Sequence, residues 1–364
     1  MLQVIAGRFL QGLGGGLLSA LAYILARKVF PSRQLPRVLA LLTSVWSISA
    51  LIGPLVGGLF ATYASWRASF LAVAALAVTI ALVAIRTLPA DIGGGGIVRA
   101  VPGALIGLVT AAIAVMSFAA IVDTLWLKIV LVAMAITAMA VMVRLNARSP
   151  APLLPTDAFA VHSPTGMGLW LVLLLSIAFS PVHIYVPVLL QKLHGFVPIA
   201  AGYAVAMAAL AWTLAAVLTA PFSRASANVS IVAGPLAVAA GLTVLAMVLG
   251  GGPAHAILLA LVLIGTGMGL TWSFAAQHIM ARPKPDEGDL AASAVATVQQ
   301  TGFALGAALS GIVANLAGFS IDAGPAGLAH TAIAVPAIFA LAAVLAAIAG
   351  RRLTALAAAN GPAA

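Results

Sequence analysis

Arg8 stands at the head of the run GRFLQGLGGG, and no other charge follows it until Arg27. An arginine stays cationic and can depress the pKa of a neighbouring carboxylate, so its chemistry here would be proton coupling through a partner acid. A charge within a bilayer costs several kcal/mol unless it is paired or hydrated, which makes it a functional candidate by default. The competing reading is snorkelling to an interface, because Arg8 lies within two turns of residue 1. The acids available as partners are Asp91, Asp123, Asp157, Asp286, Glu287, Asp289 and Asp322. In the span map below each of them falls in a loop or linker, so no carboxylate is placed to exchange protons at mid-membrane.

The other polar and aromatic groups inside apolar runs are candidates for a substrate pocket. They are His183, Tyr185, Gln277, Gln299, Gln300, Trp46, Trp212 and Trp272, with His278 and Asn315 beside them. His183 could titrate near neutral pH, and Pro181 and Pro187 loosen its helix; hydrogen-bonded packing is the alternative for a lone span histidine. The tryptophans could floor a pocket for apolar or cationic compounds, whereas Trp66 and Trp126, near span ends, read as interface anchors. Glycine pairs four apart (Gly12 and Gly16, Gly265 and Gly269, Gly302 and Gly306) line single helix faces and allow close backbone approach. Static packing and a moving seam would use them alike. The chain has no cysteine, hence no disulfide, thiolate metal site or thiol nucleophile. It carries no HExxH, GxSxG or P-loop lysine, and the glycines from Gly93 to Gly96 lack the strand and helix of a phosphate cradle. No catalytic residue, metal site or cofactor is expected.

The elements that must hold these residues follow from composition. With 63% hydrophobic and 7% charged residues and a mean hydropathy of +1.20, the chain lacks the roughly one-quarter charged content of a soluble domain. Long Ala, Leu, Val and Ile runs predict helices and not the alternating strands of a barrel. Crossing the hydrocarbon takes about 20 apolar residues. Eleven spans result, at about 3–26, 38–62, 67–88, 101–121, 125–143, 166–190, 198–221, 229–249, 255–279, 291–315 and 329–350. The span at 125–143 is the weakest, being short and carrying Lys128. A net charge of +10 could suggest nucleic acid, but the basic residues are scattered between spans instead of forming one patch.

Placing successive loops on alternate sides puts thirteen Lys and Arg on one side, with only Arg67, Lys128 and Lys192 on the other. That asymmetry predicts a multi-pass protein of the cell membrane, with the first loop and the C-terminus cytoplasmic. Residue 1 would then lie on the outer side, and the first apolar stretch is too long and lacks the basic leader of a cleavable signal peptide. Residues 89–100 form a glycine-rich loop. Residues 144–165 hold four prolines and charges of both signs, and read as a cytoplasmic linker.

Pro54 lies mid-span within SISALIGPLVGGLFATYASW, flanked by Gly53, Gly57 and Gly58. It removes a backbone donor and predicts a kinked helix. This segment resembles the antiporter motif in the fifth helix of major facilitator superfamily drug exporters. GRFLQGLGGG is similar to the family's fourth-helix motif, and SWRASF to the entry of its sixth helix. YVPVLLQKLHGFVPIAAGYA and VQQTGFALGAALSG resemble later conserved helices. Two departures stand out: Ser49 replaces a motif glycine upstream of Gly53, and SRASAN retains only a trace of the basic loop signature.

The resemblance runs nearly end to end and implies the fourteen-helix drug:proton antiporter branch, with the first three helices missing from this sequence. It implies an incomplete N-terminal half at 1–88, a loop and two extra helices at 89–143, the linker at 144–165, a six-helix C-terminal half at 166–350 and a cytoplasmic tail at 351–364. The implied function is proton-coupled export of hydrophobic or cationic small molecules by alternating access. Arg8 would tune a partner's protonation, and Gly53, Pro54, Gly57 and Gly58 would form a conformational switch helix. The implied partners are the lipid bilayer, the substrate and protons driven by their gradient, with oligomeric state left open. The alternative is a non-transporting membrane scaffold or an inactive remnant of a transporter gene.

Overall fold

A computed structural model describes residues 2–31, 33–63, 65–87, 101–281, 284, 286–320 and 324–359. Among these residues it contains eleven helices and no strand. They are α1 (Leu2–Val29), α2 (Leu35–Tyr63), α3 (Trp66–Thr87), α4 (Gly103–Ile121), α5 (Leu125–Asn146), α6 (Pro164–His194), α7 (Pro198–Thr219), α8 (Arg224–Val248), α9 (Ala254–Ala281), α10 (Gly288–Leu316) and α11 (Pro325–Ala359). Among the described residues nine helices are long and apolar enough to cross a membrane. Gln299, Gln300 and several Ser and Thr residues dilute the apolar run of α10.

Local chemistry sets the helix ends. Ser163 caps α6 by accepting from the Gly166 N–H, with Pro164 following in the first turn, where its missing donor costs nothing. Gly195 ends α6 in the left-handed conformation at φ 66°, which glycine enters without a Cβ clash. Ser223 caps α8 by accepting from the Ser226 N–H. Two boundaries differ from the sequence reading. The linker narrows to 147–163, because α5 runs on to Asn146 and α6 begins at Pro164. The expected tail from 351 is helical to Ala359, since the alanine-rich stretch favours helix and Leu353 is buried.

Antiparallel neighbours place alternate helix ends on two faces. The end of α1, the linker and the start of α10 share one face, through Arg27–Asp289 and Thr156–Glu287 contacts. This is called the basic face below. On the opposite face the end of α6 meets the end of α8, where His194 Nε2 lies 2.9 Å from the Leu249 carbonyl.

The main core lies among α6 to α11, where Trp272, Phe179, Phe274, Leu169, Leu175 and Ile231 are fully buried. Close backbone approach builds it: a Cβ on Gly265 would overlap the Ala208 carbonyl, and one on Gly269 the Trp212 carbonyl, so α9 lies flush on α7. Gly302 and Gly306 likewise seat α10 on α6, against Ser176 and Ser180. Gly12 and Gly16 differ from the packing expectation. Nothing lies within 4 Å of either Cβ position, because this part of α1 is exposed. The helix α3 is exposed along most of its length.

A second, smaller core (Met116, Ala119, Leu131, Ala135, Ala308, Ile312) joins the α4–α5 pair to α10. Lys128 lies on the same side, 2% exposed, and its Nζ donates to Asn315 Oδ1 at 2.5 Å. Span 125–143 therefore tolerates its charge by burying it against the end of α10, where the helix dipole also favours a cation. Asn315→Leu strands a buried ammonium, whereas Lys128→Met leaves only a neutral amide unpaired. The first is expected to lower the thermal midpoint in detergent clearly more than the second, and the double variant to recover part of the loss. Equal midpoints for the two single variants would remove the pair's role.

Candidate functional site

Most of α1 is exposed from Ala6 to Leu18, and it becomes buried only at Tyr23 and Ala26. Tyr23 and Arg27 are four apart and share a helix face. Both reach the C-terminal group of helices near the basic face.

Tyr23 opens a column of aromatic rings. Trp272 Nε1 of α9 donates to Tyr23 Oη at 3.1 Å. The Trp272 ring meets Trp212 of α7 at 5.5 Å between centroids, and Trp212 meets Phe179 of α6 at 5.4 Å with the planes at 89°. Phe179 then meets His183 at 4.9 Å. Edge-to-face packing of this kind contributes beyond the area it buries. Tyr23, Trp272, Trp212 and Phe179 are all buried, while His183 is exposed at the far end of the column. The column thus links one helix of the N-terminal group to three of the C-terminal group.

A polar layer lies between the column and the basic face. Arg27 Nη1 is 3.4 Å from Asp289 Oδ1, and Lys28 Nζ is 3.2 Å from Asp289 Oδ2. The Arg27 guanidinium also covers Gly288, where any Cβ would overlap it. Next to this, the buried Glu287 carboxylate accepts from the Thr156 backbone N–H at 3.2 Å, and Lys284 Nζ donates to Thr156 Oγ1 at 2.8 Å. The linker, the end of α1 and the start of α10 therefore meet in one charged cluster.

Of the pocket candidates read from the sequence, the column gathers His183, Trp212 and Trp272. Tyr185 stands apart, against Phe319 at 5.4 Å near the end of α10. Gln299 is buried, and Gln277 and Gln300 are half-buried. His278 Nδ1 contacts its own Phe274 carbonyl at 2.9 Å. Arg8 is exposed, donates to Gln11 Oε1 at 2.9 Å, and lies 5.5 Å from the Phe70 ring centroid. Gly53, Pro54, Gly57 and Gly58 fall within the unbroken helix α2, and nothing lies within 4 Å of the Gly53 Cβ position. The side chains of Pro54 and Trp46, and the surroundings of Gly57 and Gly58, lie outside the described residues.

Sequence reasoning did not single out Tyr23, Phe179 or Asp289. The cluster of Asp286, Glu287 and Asp289 on the otherwise basic side was a usable signal, since acids there invite the Arg27–Lys28 pair. For Tyr23 the signal was only its spacing from Arg27.

These features define a multi-pass helical membrane protein whose two helix groups meet through an aromatic column capped by a charged cluster. The chain belongs to the Major Facilitator Superfamily, whose family model matches residues 1–307. It is similar to a probable multidrug-efflux transporter of Mycobacterium tuberculosis (strains CDC 1551 / Oshkosh and ATCC 25618 / H37Rv), at 33% identity over 332 residues, which are 86% of this chain and 69% of that protein. An uncharacterized MFS-type transporter of the H37Rv strain is 36% identical over 90 residues, 25% of this chain and 13% of that one. Among solved structures, the nucleoside transporter NupG aligns at a TM-score of 0.43 and 17% identity, covering 92% of this chain and 90% of that one. Family and relatives mark this chain as a membrane transporter and not an enzyme.

Proposed function

We propose that the protein is a secondary active exporter of the multidrug-efflux type, coupled to protons and handling hydrophobic or cationic small molecules. The observation that carries this reading is the aromatic column between the two helix groups, closed at one end by the charged cluster. Its exposed end at His183 supports an outward-facing state with the basic face in the cytoplasm, the orientation that the charge asymmetry predicts. Transport then consists of rocking the helix groups about the column, in line with the family's mode of action. Gly53, Pro54, Gly57 and Gly58 form the seam, and Arg8 tunes an acid.

The motif resemblance supports a place in the fourteen-helix branch, in which α1 would correspond to the fourth helix, α4–α5 to the extra pair and α6 to α11 to the C-terminal half.

Proton-driven dye uptake into inverted vesicles tests the proposal, using the 364-residue chain beside a version extended upstream by three apolar spans. Uptake that collapses with an uncoupler is expected from at least the extended version. Uptake by neither would overturn the exporter reading for the dyes used and favour a scaffold or remnant.

A further inference from the structure

A cleft of about 360 Å³ lies between the α4–α5 pair, α6 and α10, with the linker across one end. It is separate from the aromatic column. Thr297, Thr301 and Leu305 of α10 wall it; spaced four apart, they form one stripe about 12 Å long at 1.5 Å per residue. Met139 and Met142 of α5 also line it, and methionine adapts to irregular hydrocarbon surfaces. Thr297 and Thr301 turn their hydroxyls back to the Ser293 and Thr297 carbonyls, at 3.0 and 2.8 Å. The walls facing the cleft are hydrocarbon.

Its depth matches one leaflet of a bilayer. Val109 lies in the first half of α4, Leu173 in the first half of α6 and Met139 in the second half of α5. Each is therefore in the half of its helix nearer the basic face, and Leu305 is near the middle of α10. Half of the roughly 30 Å hydrocarbon thickness is about 15 Å. Val109, Met139, Leu173, Thr301 and Leu305 are only half-buried, so the cleft is open. Around it α4 and α5 expose Ile106, Phe118, Ile129 and Ile136, as helices standing in lipid do.

Charge marks the linker end. Asn146, buried at the end of α5, clasps the roof of the cleft. Its Oδ1 accepts from the Leu153 and Leu154 N–H groups at 2.7 and 2.9 Å, and its Nδ2 donates to the Leu154 carbonyl at 2.9 Å. Leu153, Leu154 and Phe159 cover the cleft there. Arg144 and Arg148, two residues to either side of Asn146, are both exposed. Basic pockets between spans at a membrane surface suit anionic lipid headgroups.

We propose that this cleft holds one acyl chain of an anionic phospholipid, whose phosphate meets Arg144 and Arg148. The lipid fastens the α4–α5 pair to α10, and the site stands whether or not the chain exports anything.

Trp170 supplies a reporter, since its ring meets Phe159 at 5.1 Å and its Nε1 donates to the Phe159 carbonyl at 3.0 Å. The full chain in mild detergent is titrated with phosphatidylglycerol carrying brominated acyl chains, and separately with brominated phosphatidylcholine. Bromine quenches tryptophan at close range, and subtracting the titration of Trp170→Phe isolates the Trp170 signal. Phosphatidylglycerol is expected to quench it saturably, with half-saturation about tenfold below that of phosphatidylcholine, the scale expected of two surface cations. Arg144→Gln combined with Arg148→Gln should abolish that preference and leave phosphatidylcholine unchanged. Thr301→Phe fills the cleft and should weaken both lipids, whereas Thr301→Val, close in size, should bind like the parent. The arginine variants, at exposed positions, keep the test decisive should Thr301→Phe fail to fold.

No saturable quenching of Trp170 by phosphatidylglycerol, or equal half-saturation for the two headgroups, overturns the proposal. A headgroup preference that survives the double arginine variant does so as well. Equally tight quenching by a brominated alkane, which has no headgroup, would assign the cleft to a free apolar compound and overturn the lipid.

Discussion

Gly269→Val is expected to abolish recovery of folded protein, the largest effect of any single substitution considered. A Cβ at this position would overlap the Trp212 carbonyl and sit 2.7 Å from Ala215 Cβ and 3.0 Å from Ala216 N. Overpacking usually costs about 1–3 kcal/mol when side chains can shift. Here the obstacle is the backbone of α7, which moves only if the two helices separate. Separation would uncover Trp212, Trp272, Ala215 and Ala216, all buried in the same core. Gly265→Val should behave likewise, since its Cβ would overlap the Ala208 carbonyl one turn away.

Gly12→Ala gives the contrast. With nothing within 4 Å of its Cβ position, it should be neutral or gain up to about 1 kcal/mol from better helix propensity. Size-exclusion profiles and thermal midpoints after detergent extraction check all three. A Gly269→Val protein eluting and melting like the parent would show that α7 and α9 are not in this backbone contact.

These glycines show where sequence was informative and where it stopped. The spacing of four is the same in Gly12–Gly16 and in Gly265–Gly269, and it announces a bare helix face in both. It does not say which helix, if any, lies opposite, because that depends on the arrangement of the whole bundle. Helix positions were legible because charges, prolines and glycines punctuate apolar runs. The ends of α11 and α5 were harder, since alanine and leucine continue a helix past an arginine without any stop signal. Lys128 weakened the reading of its span because a lone lysine suggests a loop. Its partner Asn315 lies 187 positions away, and only the fold brings them together. The pocket candidates were legible by type, as tryptophan and histidine within apolar runs, but Tyr185 and Trp212 have equal standing in a list. Only the packing of α6, α7 and α9 sends Trp212 into the column and leaves Tyr185 beside Phe319.

Asp289→Asn is expected to open the basic face of the bundle. The acid receives both Arg27 and Lys28, whose side chains are 31% and 36% exposed, and is itself 49% exposed. A pair this open contributes at most about 1 kcal/mol alone. Removing the shared acid has a further consequence, since it leaves two adjacent cations beside Gly288 without the carboxylate that both contact. If the cluster favours the closed arrangement by about 1.4 kcal/mol, its loss raises the open population about tenfold. The cysteine-free sequence allows a clean reporter: Ala26→Cys puts a single thiol at a position 3% exposed, one residue from Arg27. A membrane-impermeant maleimide applied to inverted vesicles should label it slowly in the parent and up to about tenfold faster with Asp289→Asn. Asp289→Glu should retain slow labelling. High salt should speed labelling in the parent, by screening exposed charges, and have little effect on the Asn variant. Equal labelling rates with and without the carboxylate, at low and high salt alike, would mean that the aromatic column alone holds the two helix groups together at this face.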